Sequence, residues 1–127
     1  MNARRLTATL ATTALVATPL AIATASPAAA ADREFRYAGG QIDFDVEKDD
    51  GRFEVSVDID DARPGSRWVV VLKQNGNRFY KQTVRADREG DVDIDRDRRD
   101  TRGRDTFKLR IKRVGADKTV TRTIRTR

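Results

Sequence analysis

The chain has 127 residues, of which 26 are Lys or Arg and 20 are Asp or Glu, giving a net charge of +6 with neither histidine nor cysteine. Those two absences exclude a Ser-His-Asp triad, a thiol nucleophile and an ordinary zinc site, which need an imidazole base, a thiolate or N/S ligands. Paired-carboxylate chemistry stays open on composition, but on so small and acid-rich a chain any two carboxylates fall at a plausible spacing; no catalytic residue and no cofactor is assigned, and a non-catalytic protein is expected.

Residues 1–31 read as a secretory signal peptide. Arg4 and Arg5 form a basic start, Leu6 to Ala25 carries no charge, and SPAAAA offers small residues for cleavage after Ala30 or Ala31. Six threonines and Pro19 dilute the apolar run, which favours cleavage over retention as a membrane anchor. The expected product is secreted, extracellular or associated with the cell wall, and has no membrane span. Loss of the two arginines leaves 24 basic against 20 acidic residues, or +4 on about 96 residues, the size of one domain. Without cysteine, that domain depends on its core rather than on disulfides.

Residues 32–40 read as a lead-in and 41–127 as the domain. Apolar residues alternate with polar ones in nearly every segment, and helical periodicity is absent. The predicted strands are Gln41–Glu47, Arg52–Ile59, Arg67–Gln74, Arg78–Arg85, Asp91–Asp95, Thr106–Arg113 and Lys118–Arg125. KDDG (48–51) and NGN (75–77) carry hairpin turn chemistry, DREG (87–90) and VGAD (114–117) are tight connections, and ARPGS (62–66) suits a crossing between sheets. Seven short strands of this kind predict an antiparallel β-sandwich.

Facing tests the register. A turn at KDDG sets Val46 against Phe53, Phe44 against Val55 and Ile42 against Val57, all apolar pairs; a turn at VGAD sets Ile111 against Val120 and Phe107 against Ile124. Arg122 then falls opposite Leu109 on the inward face, where an edge position lets its head reach water. A three-residue NGN loop places Trp68, Val70, Leu72, Tyr80 and Val84 on one face, and turns Val69, Val71 and Phe79 outward.

Taken together, the mature chain resembles an immunoglobulin-like or fibronectin type III-like sandwich. TVRADREGDVDID (83–95) looks like the strand, tight turn and strand of bacterial immunoglobulin-like modules, and GRDTFKLRI (103–111) is similar to the strand pattern in which an aromatic follows a Gly-x-x-x approach. The signal peptide, small size and Ala/Thr/Arg/Asp-rich usage look like secreted proteins of actinobacterial type. The resemblance implies one sheet from the first, second and fifth predicted strands, and another from the third, fourth, sixth and seventh.

With that partition the first sheet turns outward Asp43, Asp45, Glu47, Glu54, Ser56, Asp58, Asp60, Asp91, Asp93 and Asp95. Lys73, Lys81, Lys108, Arg110, Lys112 and Arg125 stand outward on the second. One face is therefore acidic and the other basic, with Asp45 opposite Glu54 as a like-charged pair. The basic face, with Lys73, Lys81, Lys108, Arg110 and Lys112 as anion contacts and Phe79 as apolar support, is expected to bind an anionic cell-wall or matrix polymer. Nucleic acid is disfavoured as a dedicated target, because Phe79 is a lone stacking aromatic. The alternatives are self-association of acidic on basic faces and weak calcium binding. The run Asp91 to Asp97 invites the latter, but its sixth residue is Arg96 and its twelfth Arg102, where a calcium loop needs Gly and a bidentate acid. The five arginines of RDRRDTRGRD (96–105) read as a connection that neutralises Glu47, Asp49 and Asp50.

Overall fold

The computed structural model describes residues 30–126, which are all-β. The signal-peptide reading falls almost wholly on residues 1–29, outside the described residues. Eight strands form two antiparallel four-stranded sheets: β1 (Ala30–Tyr37), β2 (Gly40–Asp49), β3 (Arg52–Asp60) and β6 (Val92–Arg99) in the order β1-β2-β3-β6, and β4 (Arg67–Gln74), β5 (Asn77–Arg85), β7 (Thr106–Arg113) and β8 (Val120–Arg125) in the order β5-β4-β7-β8. Apart from β1, this is the implied partition between the sheets. No helix long and apolar enough to cross a membrane occurs among the described residues.

The strand count is eight because part of the segment read as a lead-in belongs to β1, paired with β2 from Ala30↔Glu47 to Tyr37↔Gly40. Phe35 and Tyr37 supply its alternation and both pack on the core. A two-residue turn, Ala38-Gly39, has positive φ at both positions (51° and 88°). That is the twist-matched hairpin turn, with alanine in a place that usually takes Asn, Asp or Gly, and the signal was missed for that reason.

The core is the inward residues of both sheets. Ile42, Phe44, Val55, Val57 and Ile59 meet Trp68, Val70, Leu72, Phe107, Leu109, Ile111 and Ile124, all with 0% exposure. Register in the first hairpin differs from expectation by two residues. Val46 pairs Val55, Phe44 pairs Val57, Ile42 pairs Ile59, and the acidic neighbours become Glu47↔Glu54 and Asp43↔Asp58 rather than Asp45 and Glu54. The turn is Asp50-Gly51, with φ of 52° and 74°, and glycine takes the second left-handed position that the expected Asp-Asp turn would have given to aspartate. A shift of two keeps every side chain on its face, so the apolar pairing survived the error.

The NGN loop has two residues, not three. Asn75-Gly76 closes Gln74↔Asn77, and the register then shifts between Leu72↔Tyr80 and Lys73↔Arg78. Phe79 is the extra residue of that β-bulge. The bulge restores the inward facing of Tyr80 and Val84 that a plain two-residue loop would have destroyed. In β7 and β8 the pairs Ile111↔Val120, Phe107↔Ile124 and Leu109↔Arg122 are as expected.

Arginines cover both open seams between the sheets. Along β5 and β6, the Arg96 guanidinium lies 4.6 Å from the Tyr80 ring centre and Arg98 lies 4.4 Å from Phe79. At the opposite seam Arg122 of β8 lies 4.2 Å from the Phe35 ring of β1. The arginine that broke the inward pattern of β8 is thus a lid on the sandwich edge. Cation–π stacking of this kind covers apolar surface while the charge stays wet.

Candidate functional site

The basic face is built by the outward residues of β5, β4, β7 and β8. Lys81, Val71, Arg110 and Thr121 form one cross-strand row; Thr83, Val69 and Lys112 form the next; Arg78, Lys73, Lys108 and Thr123 form a third. Arg67 and Arg85 pair at one end and Arg125 stands opposite Thr106 at the other. These rows hold nine cations and no carboxylate. Val69 and Val71, short and half-buried between longer neighbours, form the floor of a shallow depression of about 200 Å³ walled by Lys81, Arg110, Lys112 and Thr119.

Five of the six residues expected to contact a polyanion, Lys73, Lys81, Lys108, Arg110 and Lys112, therefore share one face. Phe79 does not. It packs edge-on to Phe107 at 6.4 Å and lies under Arg98, because the bulge that the loop reading missed turns it to the core. The apolar support on this face comes from Val69 and Val71 alone. All eight aromatic residues of the chain pack in the core or against its rim, and none stands on the basic face.

The opposite face carries the acids. Glu34, Asp43, Asp58 and Asp93 run in a single row across β1, β2, β3 and β6; Asp45, Ser56 and Asp95 form the next, and Glu47, Glu54 and Asp97 a third, with Asp60 beyond. These rows hold ten carboxylates. Ser56 donates to Asp95 at 2.9 Å. Directly opposed side chains lie about 5 Å apart at Cβ and like charges there are destabilising. The consequence shows at the centre of the long row, where Asp58 is raised to about 6 by burial, by a hydrogen bond to Asp93 and by the charges of Asp93, Asp95 and Asp60.

A raised carboxyl stabilises the fold when protonated, so this contribution is complete below pH 3.8 and is lost as the pH rises through about 6. Asp58→Asn keeps the hydrogen bond to Asp93 without the charge. The variant is expected to unfold several degrees above the parent at pH 7, an effect of about 1–2 kcal/mol after discounting for solvent screening. The advantage shrinks as the pH is lowered from 7 to 4. Equal melting temperatures across that range, by calorimetry, would show that Asp58 and Asp93 do not repel.

The stretch that joins the faces resolves differently from expectation. Arg96 to Arg99 continue β6 rather than forming a connection, and Arg96 and Arg98 turn to aromatic rings rather than to the Glu47–Asp50 acids. Neutralising contacts near this stretch include Lys48 with Asp100 at 2.8 Å and Arg52 with Asp97 at 4.0 Å. The true connection, 100–105, is held by a buried carboxylate. Asp105 accepts from Gln74 at 3.0 Å, Asn75 at 2.8 Å and the Thr101 amide at 3.1 Å, as well as from the Thr101 hydroxyl. Burial pushes Asp105 up, but the hydrogen bonds from Thr101, Asn75 and Gln74 outweigh it and hold the carboxyl below its ordinary value. Nothing in the sequence singled out Asp105 among its neighbours.

The aspartates of β6 alternate along a strand and do not converge. Asp91, ahead of the strand, does group with Asp87 and Glu89, with carboxylate oxygens within 4.8 Å of one another. The Asp87 carboxylate, however, accepts the Glu89 and Asp91 amides, both at 2.9 Å, which is the work of a turn.

No family model, curated protein or solved structure matches the chain. What defines its class is therefore the fold and the faces: an all-β sandwich whose two sheets present charge of opposite sign.

Proposed function

We propose that this protein is a secreted, non-catalytic sandwich of immunoglobulin-like type that binds an anionic polymer of the cell surface or its matrix through the outward face of β5, β4, β7 and β8. One observation carries the reading: nine cations and no carboxylate surround an apolar floor on that face. Side chains on one side of a sheet repeat about every 6.7 Å along a strand and 4.8 Å across strands, so the ammonium and guanidinium groups form a regular array. An extended chain of phosphates or carboxylates can engage several at once and release its counterions. With no aromatic platform on the face, base stacking has nothing to act on, which favours a polymer recognised by charge alone over single-stranded nucleic acid.

The test is a five-residue reversal, Lys73→Glu, Lys81→Glu, Lys108→Glu, Arg110→Glu and Lys112→Glu. The parent is expected to be retained on immobilised polyphosphate and to elute with salt; the variant is expected to flow through. Five acids among the four remaining arginines, Arg67, Arg78, Arg85 and Arg125, give a face of mixed sign, so cross-strand repulsion does not rise and the fold should survive. A control with the same net charge reverses Arg63, Arg88, Arg102, Arg104 and Lys118, exposed residues outside the rows, and should keep most of the retention. Equal retention of the two variants would reduce the effect to net charge and end the proposal.

A further inference from the structure

The acidic face lacks an assigned partner, and its dimensions and charge match a surface already described. We infer that it docks the basic face of a second copy of this chain, so that copies stack head to tail through their sheets. The inference rests on the basic face being accessible, and it adds a partner that competes with the polymer for that face.

Complementarity is the first argument. Three rows carry Glu34, Asp43, Asp58 and Asp93; Asp45 and Asp95; and Glu47, Glu54 and Asp97, while the opposing surface has cations in every row and no acid. Both arrays have four strands and the same spacing, about 4.8 Å by 6.7 Å, so rows of carboxylates can lie against rows of cations without a change of pitch. Shape agrees with charge. The outer face of a twisted sheet is a saddle of the same hand as its inner face, and two such saddles nest at about −30°.

Self-repulsion is the second argument. Asp43, Asp58 and Asp93 are directly opposed across three strands, an arrangement that costs stability in the isolated molecule. The cations of a neighbour relieve it. The ion pairs Lys48 with Asp100 and Arg52 with Asp97 lie at the end of the sheet and away from that row.

A four-stranded face of eight-residue strands covers roughly 500 Å² in projection, the low end for a specific interface. The association is therefore weak, salt-sensitive and open-ended, because unlike faces paired head to tail do not close. An anionic polymer bound to the basic face removes the docking partner and dissolves the stack.

Two variants test this in sedimentation velocity at about 20 mM salt, with protein up to about 1 mM. One neutralises the long row by Asp43→Asn, Asp58→Asn and Asp93→Asn; the other reverses Lys81, Arg110 and Lys112 to Glu. The parent is expected to form species that grow with concentration and disappear at about 0.5 M salt. Each variant alone stays monomeric. Mixed one to one they give a dimer and nothing larger, since each retains one working face. A parent that stays monomeric throughout, or a row-neutralised variant that assembles like the parent, overturns the inference. Polymer binding is read separately. The row-neutralised variant keeps its retention on polyphosphate if that reading holds, and a failure there leaves the sedimentation result unaffected.

Discussion

Gly90→Ala is expected to remove about 3–5 kcal/mol of stability, a large share of what a domain of this size has. A Cβ added at Gly90 would stand 2.1 Å from the Ala62 carbonyl oxygen, with φ at +83°. The clash is backbone against backbone, so no side chain can swing away. It falls where two of the three connections between the sheets are tied together, by Ala62 N–H to the Gly90 carbonyl at 3.0 Å, Gly65 to Ala86 at 3.0 Å and Ala86 to Ser66 at 2.8 Å. Moving the turn far enough to admit a methyl breaks the first of these ties and displaces the start of β6, with buried Val92 and Ile94.

Gly103→Ala is the control that isolates the cause. Gly103 has the same φ, +83°, but nothing lies within 4 Å of an added Cβ. It is expected to cost about 1 kcal/mol, the conformational penalty alone. Urea unfolding of the two variants therefore separates strain from contact. If Gly90→Ala unfolds at the same midpoint as Gly103→Ala, the tie between the connections does not hold the sandwich.

Residues 87–90 also illustrate what a sequence makes legible. DREG was readable as a turn from its composition, and the alternation of Val92 and Ile94 gave the facing of the following strand. The contact of Gly90 with Ala62, 28 positions earlier in the chain, was not readable, because a glycine needed for φ and a glycine needed for space look alike in sequence. The same limit explains the bulge at Phe79. Binary patterning fixed that Leu72 and Tyr80 both face inward, but two devices satisfy it, a longer loop or an extra residue in the strand. The Asn-Gly pair selects the short loop, and once that loop is accepted the bulge is forced.

Charge segregation was legible for a simpler reason. Outward facing depends on parity alone, and parity survives a register shift of two. Lys73, Lys81, Lys108, Arg110 and Lys112 therefore came together although the first hairpin was misregistered and β1 was missed. The acidic row was underestimated for the converse reason. Its length depends on which residues are directly opposed, and on Glu34 in the strand that was taken for a lead-in.

Asp105→Asn is expected to cost about 2–4 kcal/mol, or roughly 10–20 °C in melting temperature. The Asp105 carboxylate is fully buried and accepts from Gln74, Asn75 and Thr101. An amide in its place turns an NH2 toward donors, so at least one buried donor on Gln74, Asn75 or Thr101 loses its acceptor. The damage travels through Gln74, which gives a hydrogen bond to the Arg99 carbonyl at 2.9 Å and receives one from Arg98 Nε at 2.9 Å. Arg98 in turn covers Phe79. Loss of protection from hydrogen exchange should therefore appear first at the end of β6 and in residues 100–105, before the sheet centres. The pH dependence identifies the cause, because the Asp105 carboxyl is lowered in the fold. Its contribution is present above the ordinary value of 3.8 and is lost as the pH falls through the lower folded value. The parent should lose its lead over Asp105→Asn in that acid range and keep it at pH 5 and 7. A lead that persisted undiminished at pH 2 would mean that the side chain acts by shape, and that the carboxylate charge does not organise the connection.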